Sequence, residues 1–94
     1  MPAVVRLGDI CSGHGCFPSR PNITGSNKFF IESKAIHRVG DKWAPHTCES
    51  THDGTQSTGS NKMFVQGKAV ARISDKISCG SSNQTGSSKM FVGG

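Results

Sequence analysis

Four histidines and four cysteines in a chain of 94 residues supply the side chains able to hold a soft metal ion or to act as nucleophiles. Apart from His37, all of them fall after one of three aspartates. Asp9 is followed by ICSGHGC and Asp41 by KWAPHTC, so both segments read Asp-x-x-x-x-His-x-Cys and contribute His14 with Cys16 and His46 with Cys48. After Asp75 comes KISC, which puts Cys79 one residue short of the histidine position. Imidazole and thiolate donors converging from three such loops describe a tetrahedral zinc site, with iron the second choice. A site of that kind can contribute on the order of 10 kcal/mol to the folding of a small domain.

Spacing alone leaves two ligand sets open. His14, Cys16, His46 and Cys48 form a symmetrical two-Cys, two-His set, which leaves His52 and Cys79 spare. Taking one ligand per loop instead gives His14, His46 and Cys79, with His52 as the fourth. Disulfides or small packing residues are the competing use of the cysteines, disfavoured because a chain without an export leader starts in a reducing compartment. Catalysis by a Cys-His pair such as Cys16 and His14 would need a third, orienting group and a cleft, and the same pattern occurs twice, so no enzyme is expected. His37 stands on an expected strand, outside these loops, and reads as structural.

The loops belong to a repeat. TGSNKFFIESKAIHRVGD, from Thr24 to Asp41, matches TGSNKMFVQGKAVARISD, from Thr58 to Asp75, without a gap. TGSSKMFVGG, from Thr85 to Gly94, is the front half of a third copy, and PAVVRLGD, from Pro2 to Asp9, supplies its back half at the other end of the chain. The marker aspartates recur at about 33 residues, in the range of repeat architectures. With the third unit split across the termini, three units close into a ring, which also removes free sheet edges.

Within each repeat, KFFI and AIHRV flank Glu32-Ser33, and KMFV and AVARI flank Gln66-Gly67, which are hairpin signals. The last KMFV has no partner after it, so Ala3 to Leu7 is expected to pair with it. Cys11 to Thr24 is expected to be a structured loop, as are the polar stretches Asp41 to Thr58 and Asp75 to Thr85. No long helical period is present. The expected fold is a single mostly β domain over residues 1–94: a ring of three pseudo-symmetric hairpin repeats, the third completed by the two termini, whose loops converge at one end on a metal. Both faces of the hairpins carry large apolar residues, Met63 and Val65 on one and Phe64 on the other, so the second face either packs on a neighbouring repeat or waits for a partner.

Composition sets further bounds. Hydrophobic residues are 33% of the chain and glycines number 12, so the core is thin and a staple is expected. The net charge of +5 is spread through the repeats and, with one tryptophan, reads as a solvated basic surface rather than a nucleic-acid site. No apolar run is long enough for a membrane span, and no signal peptide is apparent, so synthesis is expected in the cytoplasm.

The units GSNKFFIES-KAIHRVGD and GSNKMFVQG-KAVARISD resemble the Pro-Ala-Ala-Arg (PAAR) repeat proteins, in which GS-x-x-V-x-x-N-G-K-P-A-A-R-x-G-D recurs. The eponymous proline is missing, Asn-Gly is replaced by Glu32-Ser33 or Gln66-Gly67, and Ser74 stands in place of Gly. The resemblance implies a cap on the trimeric β-helical spike of a type VI secretion system or contractile phage tail, one cap per trimer, that sharpens the spike for piercing a target membrane. It implies a small cone with a metal near the apex held by three His and one Cys, which selects His14, His46, His52 and Cys79. It also implies effector proteins as possible further partners, and delivery out of the cell or into the target envelope. The alternative is a free-standing zinc module that binds nucleic acid or another protein.

Overall fold

The computed structural model describes residues 2–48 and 50–93, with His52 described in its backbone alone. The described residues form strands, bridges and turns without a helix. Strands β1 (Phe30–Ile31) and β2 (Lys34–Ala35) form one antiparallel hairpin, and β5 (Phe64–Val65) and β6 (Lys68–Ala69) form its copy. Between them lie two longer strands, β3 (Lys42–Cys48) and β4 (Ser50–Thr55), paired antiparallel.

Glu32 and Ser33 both have positive φ, 55° and 67°, as do Gln66 and Gly67, 55° and 79°. Two successive positive φ values mark the turn whose twist suits a two-residue hairpin. The third hairpin is assembled from the two ends of the chain, as expected. Ala3 bridges Phe91, the Val4 N–H donates to the Met90 carbonyl at 2.9 Å, and the Val92 N–H donates to the Pro2 carbonyl at 2.9 Å. Gly94 of this copy lies outside the described residues.

Backbone hydrogen bonds close the three units on one another. The Val5 N–H donates to Ala71, the Ala71 N–H to His37 and the His37 N–H to Val5, at 2.9, 3.0 and 3.1 Å. All three residues are fully buried. A second set runs around the same pseudo-threefold in the opposite sense: Leu7 donates to Ala35, Val39 to Ala69 and Ile73 to Ala3. Val4, Ile36 and Val70, one from each unit, form the main apolar cluster with Ile31 and Val65, and Met63, Met90 and Val92 pack against it. Cys11, Trp43 and Ile77, each two residues after a marker aspartate, form a second cluster. Unit two supplies the large members, His37 and Trp43, whose rings meet edge to face at 5.2 Å, while the others supply Val5, Ala71, Cys11 and Ile77. Unequal side chains thereby fill a nearly symmetrical interior.

The same chemistry recurs in each unit and explains the repeated letters. Arg6, Arg38 and Arg72 each grip the aspartate three residues on through Nε and Nη2, at 2.9–3.0 Å. The aspartate also accepts the arginine's own backbone N–H. Burial alone would raise the Asp9 and Asp41 carboxyls, but the arginine bonds outweigh it and hold both below the usual range. In Thr-Gly-Ser, the threonine hydroxyl donates to the aspartate of its neighbourhood: Thr24 to Asp41, Thr58 to Asp75 and Thr85 to Asp9, across the chain ends. A Cβ on Gly25, Gly59 or Gly86 would sit 2.8–2.9 Å from a backbone carbonyl oxygen, so no side chain fits there. The serine hydroxyl accepts the N–H groups two and three residues on, as at Lys28 and Phe29.

Two expectations are corrected here. The stretch Asp41 to Thr58 is not a loop; most of it is the β3–β4 hairpin, the longest strands among the described residues. Burial of Trp43 and His46 on β3 draws it into the body, where Ala44 donates to the Pro21 carbonyl. The outer face of the short hairpins is not covered by a neighbouring repeat either. Phe30, Phe64 and Phe91, the same residue of each copy, are 58%, 59% and 48% exposed.

Candidate metal centre

His14 sits at a tight reversal. Gly13 enters with φ +74°, and His14 and Phe17 exchange both backbone hydrogen bonds, at 3.1 and 2.8 Å, around Gly15-Cys16. This brings the Phe17 ring against the His14 imidazole, centroids 4.8 Å apart and 26° from parallel. His46 lies on β3 just past a register shift between Trp43 and His46, where Pro45 interrupts regular pairing. Cys79 occupies the short turn in which Gly80 donates to the Ile77 carbonyl and Ile77 to the Ser81 carbonyl.

The three loops bring His14, His46 and Cys79 together, with one donor atom from each lying within 4.8 Å of the others. A tetrahedral zinc site needs donors about 3.3–3.7 Å apart, so closure by roughly 1 Å completes the geometry. His46 is nearly buried, and its Nδ1 lies 2.8 Å from the Pro18 carbonyl. A carbonyl only accepts, so Nδ1 carries the proton and Nε2 keeps its lone pair for a metal. A backbone carbonyl on the far nitrogen is the usual outer support of a metal-bound histidine. The imidazoles of His14 and His46 meet at 5.0 Å and 64°, with the Phe17 ring 4.9 Å from His46. Donor chemistry and tautomer thus fit a metal ion, and this His-His-Cys group can hold one.

The symmetrical ligand set does not survive. Cys16 and Cys48 are joined by a disulfide, with Cα atoms 5.8 Å apart, which leaves neither sulfur as a thiolate. The disfavoured use of these cysteines is therefore the correct one: the two residues at one repeat position cross-link the first two ligand loops. Cys11 is free and fully buried against Trp43 and Ile77. His52 is opposite His46 in the β3–β4 register, and its side chain lies outside what the structure describes. His37 is structural, as expected. It is fully buried, and its Nδ1 lies 2.8 Å from the Thr24 carbonyl. Burial pushes its pKa below the ordinary histidine value against the pull of that bond.

Sequence reasoning missed Arg20. Its Nη2 donates to Cys79 Sγ at 3.2 Å, its Nη1 to Cys11 Sγ at 3.0 Å and its Nε to the Ala44 carbonyl at 2.7 Å. Burial raises the Cys11 thiol, but the Arg20 side-chain and backbone N–H groups outweigh it and bring the pKa below the ordinary value. A signal for this residue existed: of four arginines, Arg20 alone does not stand three residues before an aspartate.

No curated protein matches the chain in sequence. The sequence model of the family described as PAAR motif matches residues 13–84, a span that holds both complete repeats and His14, His46 and Cys79. By that match, and with repeats and donors arranged as above, the chain belongs to the PAAR-motif family, a structural family of spike-tip proteins.

Proposed function

We propose that this protein caps the blunt end of a trimeric β-helical spike in a type VI secretion or contractile phage-tail machine, one cap per trimer. The observation that carries the reading is the exposed phenylalanine repeated by the pseudo-threefold, Phe30, Phe64 and Phe91. Three equivalent apolar contacts on one chain can address three identical subunits, one unit to each, and burial of each ring contributes roughly 2 kcal/mol.

The ligand set proposed for the metal is His14, His46, His52 and Cys79, with zinc as the ion. Support for His52 comes from its register opposite His46. Bound zinc supplies cross-links among loops that have few apolar side chains with which to hold one another. With four protein ligands the site is closed, and the role is structural, not catalytic. The chain's own residues prepare it: the Pro18 carbonyl orients His46, Phe17 covers the imidazoles, and the Cys16–Cys48 bridge holds the first two loops in place. Such a tip would concentrate the force of sheath contraction on a target membrane. Effector proteins are proposed as cargo attached to the cap, and delivery is proposed to be out of the cell or into the target envelope.

The test mixes the purified chain with a trimeric β-helical spike protein and measures mass by light scattering. One chain per trimer is expected, and F30D, F64D and F91D combined should abolish the complex while leaving the circular dichroism spectrum and metal content intact. A spike that fails to bind, or a triple variant that binds as the wild type does, would overturn the proposal. Salt-dependent capture of DNA or RNA would favour the nucleic-acid module instead.

A further inference from the structure

Arg20 is only 5% exposed, and among the described residues no carboxylate pairs with it. A guanidinium in that position has lost most of its hydration, and such a group is retained where it is fully bonded or balanced by an anion. Among the described residues every hydrogen bond of this guanidinium goes to the metal centre or its support. Nε holds the Ala44 carbonyl, two residues before His46, Nη1 and the backbone N–H hold Cys11 Sγ, and Nη2 holds Cys79 Sγ. The guanidinium carbon lies over the Trp43 ring, 5.4 Å from its centroid. Space is kept for it: a Cβ on Gly54 would come within 3.1 Å of Nη2.

We propose that Arg20 is the positioning residue of the metal centre: its buried guanidinium orients the Cys79 sulfur toward His14 and His46 and takes up part of the charge that sulfur carries when it ligates the ion. The proposal rests on the metal reading given above. It assigns to Arg20 a task that lysine cannot do in full, because one planar fork reaches two sulfurs and a carbonyl at once, whereas an ammonium is a point donor on a flexible stem. Cys11 serves as the second tooth of the clamp, so that the fork cannot swing away from Cys79. An N–H donor on a metal-bound thiolate lowers the energy of the sulfur lone pairs, and outer supports of this kind are commonly worth 10–100-fold in metal affinity.

Cobalt(II) loaded in place of zinc reads the sulfur directly, through the sulfur-to-cobalt charge-transfer band, while its d–d bands report tetrahedral geometry. Wild type, R20M, R20K and C11A are titrated with cobalt, then challenged with a chelator. The expected result for R20M is a charge-transfer band at lower energy and roughly 10–100-fold faster loss of metal, with d–d bands still tetrahedral. R20K should recover the affinity only in part, and C11A, which frees one side of the fork but leaves the bond to Cys79, should show a smaller defect of the same kind. Equal defects in C11A and R20M would show that Arg20 acts through packing, and a wild-type band in R20M would likewise overturn the proposal. A wild type that takes up no cobalt would sink the metal reading itself, which is a separate result. Should R20M fail to fold, the wild type loaded with an NMR-active cadmium isotope decides the matter. Scalar coupling between cadmium and an Arg20 Nη proton, through the hydrogen bond to Cys79, is expected, and its absence would refute the assignment.

Discussion

Replacing Ser74 by glycine should stabilise the protein, and the size of the effect follows from backbone geometry. In each unit the N–H of the marker aspartate donates to the carbonyl of the arginine three residues before it, closing a turn at 3.0–3.1 Å. The third residue of that turn has positive φ in every copy: 92° at Gly8, 93° at Gly40 and 76° at Ser74. A side chain in the left-handed region costs about 1–2 kcal/mol. Glycine gives back about 0.5–1 kcal/mol through the greater freedom of its unfolded chain. The net expectation for S74G is a gain of about 1 kcal/mol, or roughly 4–8 °C in Tm for a domain of this size. The reciprocal change, G40S, should lose a similar amount for the same reason alone, since a Cβ there would meet nothing within 4 Å. Urea or thermal unfolding at one fixed free-zinc concentration measures both, because bound metal shifts the transition by mass action. If S74G were neutral or destabilising while G40S cost nothing, the turn would not impose the strain deduced from it.

Asp41→Asn leaves the Arg38 guanidinium without its charge partner and should cost about 3 kcal/mol by denaturant unfolding; because the Asp41 carboxyl is held low, its contribution is present above the unfolded value near 3.9 and fades as pH falls below it. His37 is depressed by burial, so the folded chain favours its neutral form. Stability from this group is complete above the unfolded value of about 6.5 and declines below it by up to about 1.4 kcal/mol per pH unit. His37→Val, which copies the residue at Val5, should remove that slope, and the difference between wild type and variant from pH 7 to 5 isolates it from the other histidines. The double variant C16A/C48A opens a loop with a sequence separation of 32 and should cost about 3–4 kcal/mol, yet elemental analysis should find its metal retained. Loss of metal in proportion to the lost bridge would count against the assigned ligands.

How far the sequence could be read depended on whether an interaction repeats. The Arg-x-x-Asp turns, the Thr-Gly-Ser contacts and the two hairpin turns occur in copies, and comparing the copies exposes them. Pairing of Ala3 to Leu7 with the last KMFV was legible because the repeat left each half with an obvious vacancy. Interactions that occur once were hidden. The β3–β4 hairpin belongs to unit two alone, and Pro45 and Gly54 give it the look of a loop. Arg20 reaches Cys79 across 59 residues with no symmetrical counterpart. Cys16 and Cys48 share a repeat position, which suggests paired ligands and paired partners equally, and only the separation of their backbones decides between the two.

The ring of backbone bonds through Val5, His37 and Ala71 bears on synthesis. An open solenoid can fold from its first units as they leave the ribosome, because each contacts only its neighbours. Here unit one needs Thr85, Met90 and Phe91 to complete it, so the strand around Val4 waits for partners made long after it, as Ile10 waits for Thr85 across a separation of 75. Until then Ala3 to Leu7 offers an unpaired edge that a second nascent chain could capture. Contacts this distant in sequence make closure slow. Neighbouring ribosomes on one message could therefore exchange these strands, and spacing out translation should favour monomers over strand-swapped oligomers.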